Sequence, residues 1–220
     1  MKNILQGLHH FRSGVLEQQR ARLAKLAQGQ HPSALFISCS DSRVVPSLFT
    51  QCGPGELFEL RNAGNIVPPY GASTGGEAAT IEFAVVGLGV KDIIVCGHTH
   101  CGAMKAMLDP TQAENLPLVQ SWLGYAETTR RIMAENYANL PKSDQLNVAA
   151  QEHVLIQIEN LQTHPCIASR LQRGDIALHA WVYKIETGDV FSYSKEENRF
   201  APLVVPSDLQ LTEEELVAKS

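Results

Sequence analysis

Three chemically dissimilar residues alternate in SCSDSRVVPS: Cys39, Asp41 and Arg43. They set a soft metal ligand, a base and a cation side by side. A second concentration occurs in DIIVCGHTHCGAM, where His98, His100 and Cys101 lie just past an apolar run. Two thiolates and an imidazole are a good zinc set, and three protein ligands leave a fourth tetrahedral position open, as a catalytic zinc requires. H-x-x-C alone is a weak pattern. On residue types alone, Cys39, His98 and Cys101 are either a metal set or three unrelated side chains. Asp41 and Arg43 are either a loop ion pair or a base held ionised by its cation.

The choice depends on the elements that carry these residues. ALFIS (34–38) is a short apolar run entering the first motif and reads as a buried strand. LFELR (57–61), DIIVCG (92–97) and IALHAWVYKI (176–185) read as further strands, and ETGD turns the last into VFSYS (190–194), an antiparallel edge hairpin. Helices are predicted over 1–28, 77–88, 116–138 and 143–162, with Ile4, Leu8, Phe11 and Val15 at helical spacing in the first. The segment 62–76 is a Gly/Pro-rich loop.

Strands alternating with helices predict an α/β fold: a single domain with a mostly parallel central sheet flanked by helices, an N-terminal helical arm (1–30) and an antiparallel edge strand. The domain is expected to span 1–205, and 206–220 to form a peripheral acidic tail with a helix. Open parallel sheets bind ligands beyond the carboxyl ends of their strands. If the first and third strands are neighbours, Cys39, His98 and Cys101 converge.

Composition narrows the function. The 220 residues are 44% hydrophobic and 19% charged, an ordinary globular balance. A net charge of −5 argues against a general nucleic-acid binder, which needs a Lys/Arg surplus. No apolar run approaches the roughly 18 residues of a membrane span, and MKNILQGLHHFRSG lacks the apolar core of a signal peptide. The five cysteines have no disulfide-scaffold spacing, and the expected setting is a reducing cytoplasm. Cys52, Cys96 and Cys166 are expected to be buried thiols.

CSDSRVVPS, RNAGNIVPPYG and CGHTHCGAM together resemble a β-class carbonic anhydrase, with similarity from about residue 3 to 200. The flavour is bacterial, similar to members associated with cyanate metabolism or carboxysomes. The resemblance implies one Zn2+ per chain bound by Cys39, His98 and Cys101, with Asp41 and Arg43 as the catalytic dyad. It implies reversible hydration of carbon dioxide to bicarbonate and a proton. Zinc favours hydroxide over water near neutral pH. Two thiolates make the metal a weaker Lewis acid, so a carboxylate must orient the nucleophile without ligating the metal itself. Asp41 can do this while Arg43 holds it.

Matched positions extend the set. Gln30, Phe58, Ala63, Phe83 and Gly102 fall at substrate-binding positions, Phe83 replacing a Tyr of plant members and Ala63 a Val. Gly87 stands where plant members have a shuttle His, and His100 is left beside the ligands or exposed. Some bacterial members bind regulatory bicarbonate through a Trp, an Arg and a Tyr. Here Phe36 takes the Trp position, with Arg61 and Tyr183 at the others, and Phe lacks the indole donor. The expectation is therefore a site with Asp41 on Arg43, unswitched by bicarbonate. The resemblance also implies that the N-terminal helix wraps a second subunit, giving a homodimer or higher even oligomer with the pocket near the interface. Two alternatives stand beside this reading: a COS/CS2 hydrolase on the same ligands, and a carboxysome-associated zinc protein with a binding role.

Overall fold

The computed structural model describes residues 1–206 and 209. The chain opens with a helical arm, α1 (Lys2–His10) and α2 (Leu16–Leu26), joined by a π-type turn at Phe11–Val15. The predicted helix over 1–28 is thus interrupted. Gly14 weakens the middle, and the Ser13 hydroxyl donates back to the His9 carbonyl at 2.9 Å, a local bond that loosens a helix. None of the residues of α1 is buried, and Ile4, Leu5 and Leu8 are each more than half exposed.

The body follows as β1 (Ala34–Cys39), α3 (Pro46–Thr50), β2 (Leu57–Asn62), α4 (Gly76–Glu82) and β3 (Asp92–His98). Next come α5 (Gly102–Leu108), α6 (Pro117–Leu123), α7 (Glu127–Asn136), α8 (Lys142–Gln162) and α9 (Pro165–Arg173). Three further strands, β4 (Ala177–Tyr183), β5 (Val190–Ser194) and β6 (Arg199–Pro202), close the described chain. The predicted helix at 77–88 ends in a π-turn over Phe83–Gly87. The one at 116–138 breaks into α6 and α7 at a 3-10 turn, Gly124–Ala126. Helices α3, α5 and α9 are too short to announce themselves by periodicity; α3 and α9 start at a proline, which suits a first helical turn. The edge is also wider than predicted, because β6 pairs antiparallel outside β5. The expected tail helix lies outside the described residues.

The sheet order is β2-β1-β3-β4-β5-β6, with the first four strands parallel and the last two antiparallel. The connection from β1 runs outward to β2, and the one from β2 crosses back over β1 to β3. The strand order therefore reverses beside β1, which opens a crevice at the carboxyl ends of β1 and β3. Those ends are Cys39 and His98.

Alternation along β1 separates two cores. Leu35 and Ile37 join Ile81, Val85, Ile93, Val95, Val154 and Leu161 on the face covered by α4, α8 and α9. Ala34 and Phe36 face the other way, with Ile94 and Cys96, against Phe49, Trp181 and Tyr183. Cys96 is a buried thiol as expected. Cys52 and Cys166 are only half-buried, because one follows α3 at a surface turn and the other lies in the first turn of α9.

Helix α8 approaches β3 closely at Gly97, next to His98. A Cβ there would stand 2.7 Å from Val154 Cγ2 and 3.2 Å from the Ala150 carbonyl oxygen. Gly97→Ala is expected to destabilise the fold by about 1–3 kcal/mol through overpacking, and Val154→Ala in the same chain to recover part of that loss. Equilibrium denaturation of the two single variants and the double variant measures the coupling.

Candidate metal centre

Strand β1 ends at Cys39 because the chain turns sharply after it. The Val44 N–H donates to the Asp41 carbonyl at 3.0 Å, and the Arg43 N–H to Asp41 Oδ1 at 3.0 Å. The guanidinium of Arg61, projecting from β2, closes over this turn. It donates to the carbonyls of Cys39 (3.0 Å), Asp41 (3.0 Å) and Val44 (2.6 Å). Three backbone acceptors on one cation fix the turn that presents both Cys39 and Asp41. Phe36 is fully buried edge-on to Phe49 and Trp181, and Tyr183 stacks on Phe49 with centroids 4.4 Å apart.

Strand β3 delivers His98. Its Nδ1 lies 2.8 Å from the Thr99 carbonyl, an acceptor only, so Nδ1 carries the proton and Nε2 presents a lone pair. Nε2 is buried and has no hydrogen-bond partner among the described residues. The chain then turns through His100, whose φ of 57° is left-handed, and returns Cys101 to the crevice at the start of α5. The ligand atoms of Cys39, His98 and Cys101 all lie within 4.8 Å of one another, and all three residues are buried. An orphaned imidazole nitrogen facing two buried sulfurs is what a tetrahedral ion accounts for. The donor set therefore fits a metal such as zinc, and the group can hold one.

The two sulfurs interact strongly. The Cys101 thiol hydrogen-bonds Cys39 and pulls its pKa well below the usual thiol range, against burial and with help from His98 and the Gly64 N–H. The same bond, burial and the Cys39 charge push Cys101 up. The Gly64 N–H lies 3.4 Å from Cys39 Sγ.

Asp41 stands beside the ligands without joining them. Its Oδ2 is 4.0 Å from His98 Nε2. Arg43 clamps both oxygens, Nε to Oδ1 at 2.9 Å and Nη2 to Oδ2 at 2.7 Å. These hydrogen bonds, chiefly, hold the carboxyl well below its usual range despite partial burial. Arg43 Nη2 also donates to the His100 carbonyl at 3.2 Å, which ties the first motif to the second.

The loop that carries Ala63 and Gly64 is held from below by α8. His153 Nε2 donates to the Gly64 carbonyl at 2.9 Å, and its Nδ1 receives the Thr129 hydroxyl at 3.1 Å. Gln157 Oε1 accepts the Val67 N–H at 2.8 Å. Full burial drops the His153 pKa from 6.5 to about 4. These supports carried no sequence motif; only a histidine and a glutamine within an otherwise apolar helical face marked them.

The remaining sequence-derived positions divide. Ala63 and Gly102 are exposed at the crevice, next to Gly64 and Cys101. The Ala63 carbonyl accepts the Trp122 indole N–H at 2.8 Å. Phe58 pairs with Leu35, four residues before Cys39, hence roughly 13 Å away along the strand. Phe83 packs on Phe58 with centroids 5.9 Å apart, and Gln30 is exposed beyond α2. One chain does not bring these three to its own metal group.

Fold and site together define an α/β protein with a Cys-His-Cys group able to hold a metal and an adjacent, separately held carboxylate. Residues 34–190 match the family described as carbonic anhydrase. A carbonic anhydrase of Synechocystis sp. is 52% identical over 194 residues, 88% of this chain and 71% of that one. The solved β-carbonic anhydrase CcaA superimposes with a TM-score of 0.91 at 50% identity, covering 93% of this chain and 92% of the other. Tetrameric β-carbonic anhydrases of Sordaria macrospora give a TM-score of 0.78 at 28% identity, covering 92% of this chain and 98% of theirs. The chain belongs to the β-carbonic anhydrase family. It is an enzyme of that class, whose reaction is the hydration of carbon dioxide.

His153 generates a pH prediction. Its folded pKa lies below its unfolded value, so the unfolded chain binds the proton first. The stability it contributes is fully present above about 6.5 and is lost as pH falls towards about 4. That loss is on the order of 3 kcal/mol. Denaturation of wild type and His153→Phe across this window is expected to show the wild-type advantage shrinking with acid, and a constant difference contradicts the assignment.

Proposed function

We propose that this chain hydrates carbon dioxide reversibly at one zinc ion per chain, held by Cys39, His98 and Cys101, with Asp41 and Arg43 as the catalytic dyad. The observation that carries the reading is Asp41 Oδ2, clamped by Arg43 and set 4.0 Å from the unpartnered Nε2 of His98. When bound, zinc supplies a Lewis acid that brings the ionisation of water towards neutral pH.

The chain's own groups do the rest. Asp41 stays ionised and accepts a hydrogen bond from the attacking oxygen, which aims that oxygen's remaining lone pair at carbon. Arg43 keeps the carboxylate from becoming a fourth ligand. Ala63 and the Gly102 backbone N–H line the open mouth where the substrate oxygens lie. The product is bicarbonate plus one proton.

A second copy of the chain completes this reading. Among the described residues nothing buries the apolar stripe of α1, and Gln30, Phe58 and Phe83 stand away from the chain's own Cys-His-Cys group. We assign all three to the pocket of the adjoining subunit, in a homodimer or larger even oligomer; the Sordaria enzymes are tetramers. Removing residues 1–15, the arm's outer half, is expected to release monomers by light scattering and to lower turnover. A fully active monomer contradicts the assignment.

Among the described residues no helix is long and apolar enough to cross a membrane. Cytoplasmic placement is proposed from the cysteine pattern and carboxysome components as partners from the sequence resemblance, and a pull-down with carboxysome scaffold proteins tests the second.

Two sets of variants separate metal holding from base orientation. Alanine at Cys39, His98 or Cys101 is expected to abolish zinc by elemental analysis together with hydration. Asp41→Asn is expected to retain zinc and lose about two orders of magnitude in kcat/KM, because an amide is not an ionised acceptor. Zinc at wild-type level in all three ligand variants sinks the metal assignment, and unchanged turnover in Asp41→Asn sinks the dyad.

A further inference from the structure

The turn between β4 and β5 reaches back to the ligand loop through Glu186. Its Oε2 accepts the hydroxyl of buried Thr99 at 2.6 Å and lies 3.7 Å from His100 Nε2. The same Thr99 hydroxyl accepts the Ile185 N–H at 3.1 Å, and the Thr99 N–H donates to the Tyr183 carbonyl at 3.0 Å. Thr99 is thereby pinned on three sides, one residue after a ligand and one before His100.

His100 needs that support. A non-glycine residue with a φ of 57° is held against its local preference, and such a conformation persists only where its surroundings over-determine it. The left-handed turn aims the His100 carbonyl at Arg43 Nη2, at 3.2 Å. Half of the Arg43 side chain is exposed, so its position depends on its few anchors: the two Asp41 oxygens and this carbonyl.

We infer that Glu186 is a positioning residue for the hydration reaction: through Thr99 it fixes the left-handed turn whose carbonyl anchors Arg43, and so keeps Asp41 off the metal. The inference rests on the roles proposed above for Asp41 and Arg43. The working part is the hydrogen bond to Thr99. Its charge towards His100 is secondary.

The test compares full-length zinc-loaded wild type with Glu186→Ala, Thr99→Val and Glu186→Gln. Zinc content, stopped-flow kcat/KM and the visible spectrum after cobalt(II) substitution are recorded for each. Glu186→Ala and Thr99→Val are expected to keep wild-type zinc and lose about tenfold in kcat/KM, the size of one hydrogen bond. Their cobalt spectra are expected to shift as a carboxylate enters the coordination sphere. Glu186→Gln still accepts the Thr99 hydroxyl and is expected to behave as wild type in both measurements. Unchanged kcat/KM and spectrum in Glu186→Ala overturn the inference, as does a Glu186→Gln variant as impaired as Glu186→Ala. Loss of zinc in Glu186→Ala also overturns it, since the residue would then hold the ligands rather than the dyad. A zinc-loaded wild type without hydration activity overturns the proposed function instead, and the cobalt spectra still decide the role of Glu186.

Discussion

Parallel pairing of β1 with β3 is the constraint from which the rest follows. Cys39 is about sixty residues from His98 and Cys101 in sequence, and only the register Ala34↔Asp92 to Ser38↔Cys96 brings the two strand ends level. That register is secured by burial on both faces of β1, where a slip by one residue would send Leu35 and Ile37 into the aromatic core of Phe36. The reversal of strand order beside β1 leaves the crevice open above the same two ends. A site assembled from ligands so far apart is thus specified by hydrophobic packing beneath it.

In the function proposed above, the chemistry over that packing depends on keeping a carboxylate close to a metal group without letting it bind. Two arginines divide the work. Arg61 holds the backbone of the turn through three carbonyls, and Arg43 holds the carboxylate itself. Each uses the planar fork of guanidinium, which a lysine cannot reproduce. The His98 tautomer is settled separately by its neighbour's carbonyl, so each donor is oriented by a different part of the backbone.

Much of this was legible in the residues. The apolar runs at β1 and β3, followed directly by thiol, imidazole and carboxylate, announce both the sheet and the site, because a buried parallel strand and its ligand-bearing end are contiguous in sequence. The breaks were less legible. The π-turn at Phe11–Val15 arises from Ser13 and Gly14 within a pattern that otherwise reads as one helix, and α3, α5 and α9 span too few turns to show a period. Arg61 could be read as part of an anion site, yet its guanidinium meets carbonyls that no pattern in the sequence relates to it. His153 and Glu186 act through tertiary hydrogen bonds across 89 and 87 positions, separations at which local spacing carries no information.

Helix α8 touches both halves of the site. Ala150 and Val154 abut Gly97 just before one ligand, while His153 and Gln157 hold the loop whose amide faces another. A loop supported by its own turns could open alone, whereas this one is fastened to the longest helix of the core. The Val67 N–H and the Gly64 carbonyl are both bonded to side chains of α8, so displacing this loop breaks buried hydrogen bonds to that helix. Loosening Cys39 through its neighbouring loop is thereby coupled to the packing of the longest described helix.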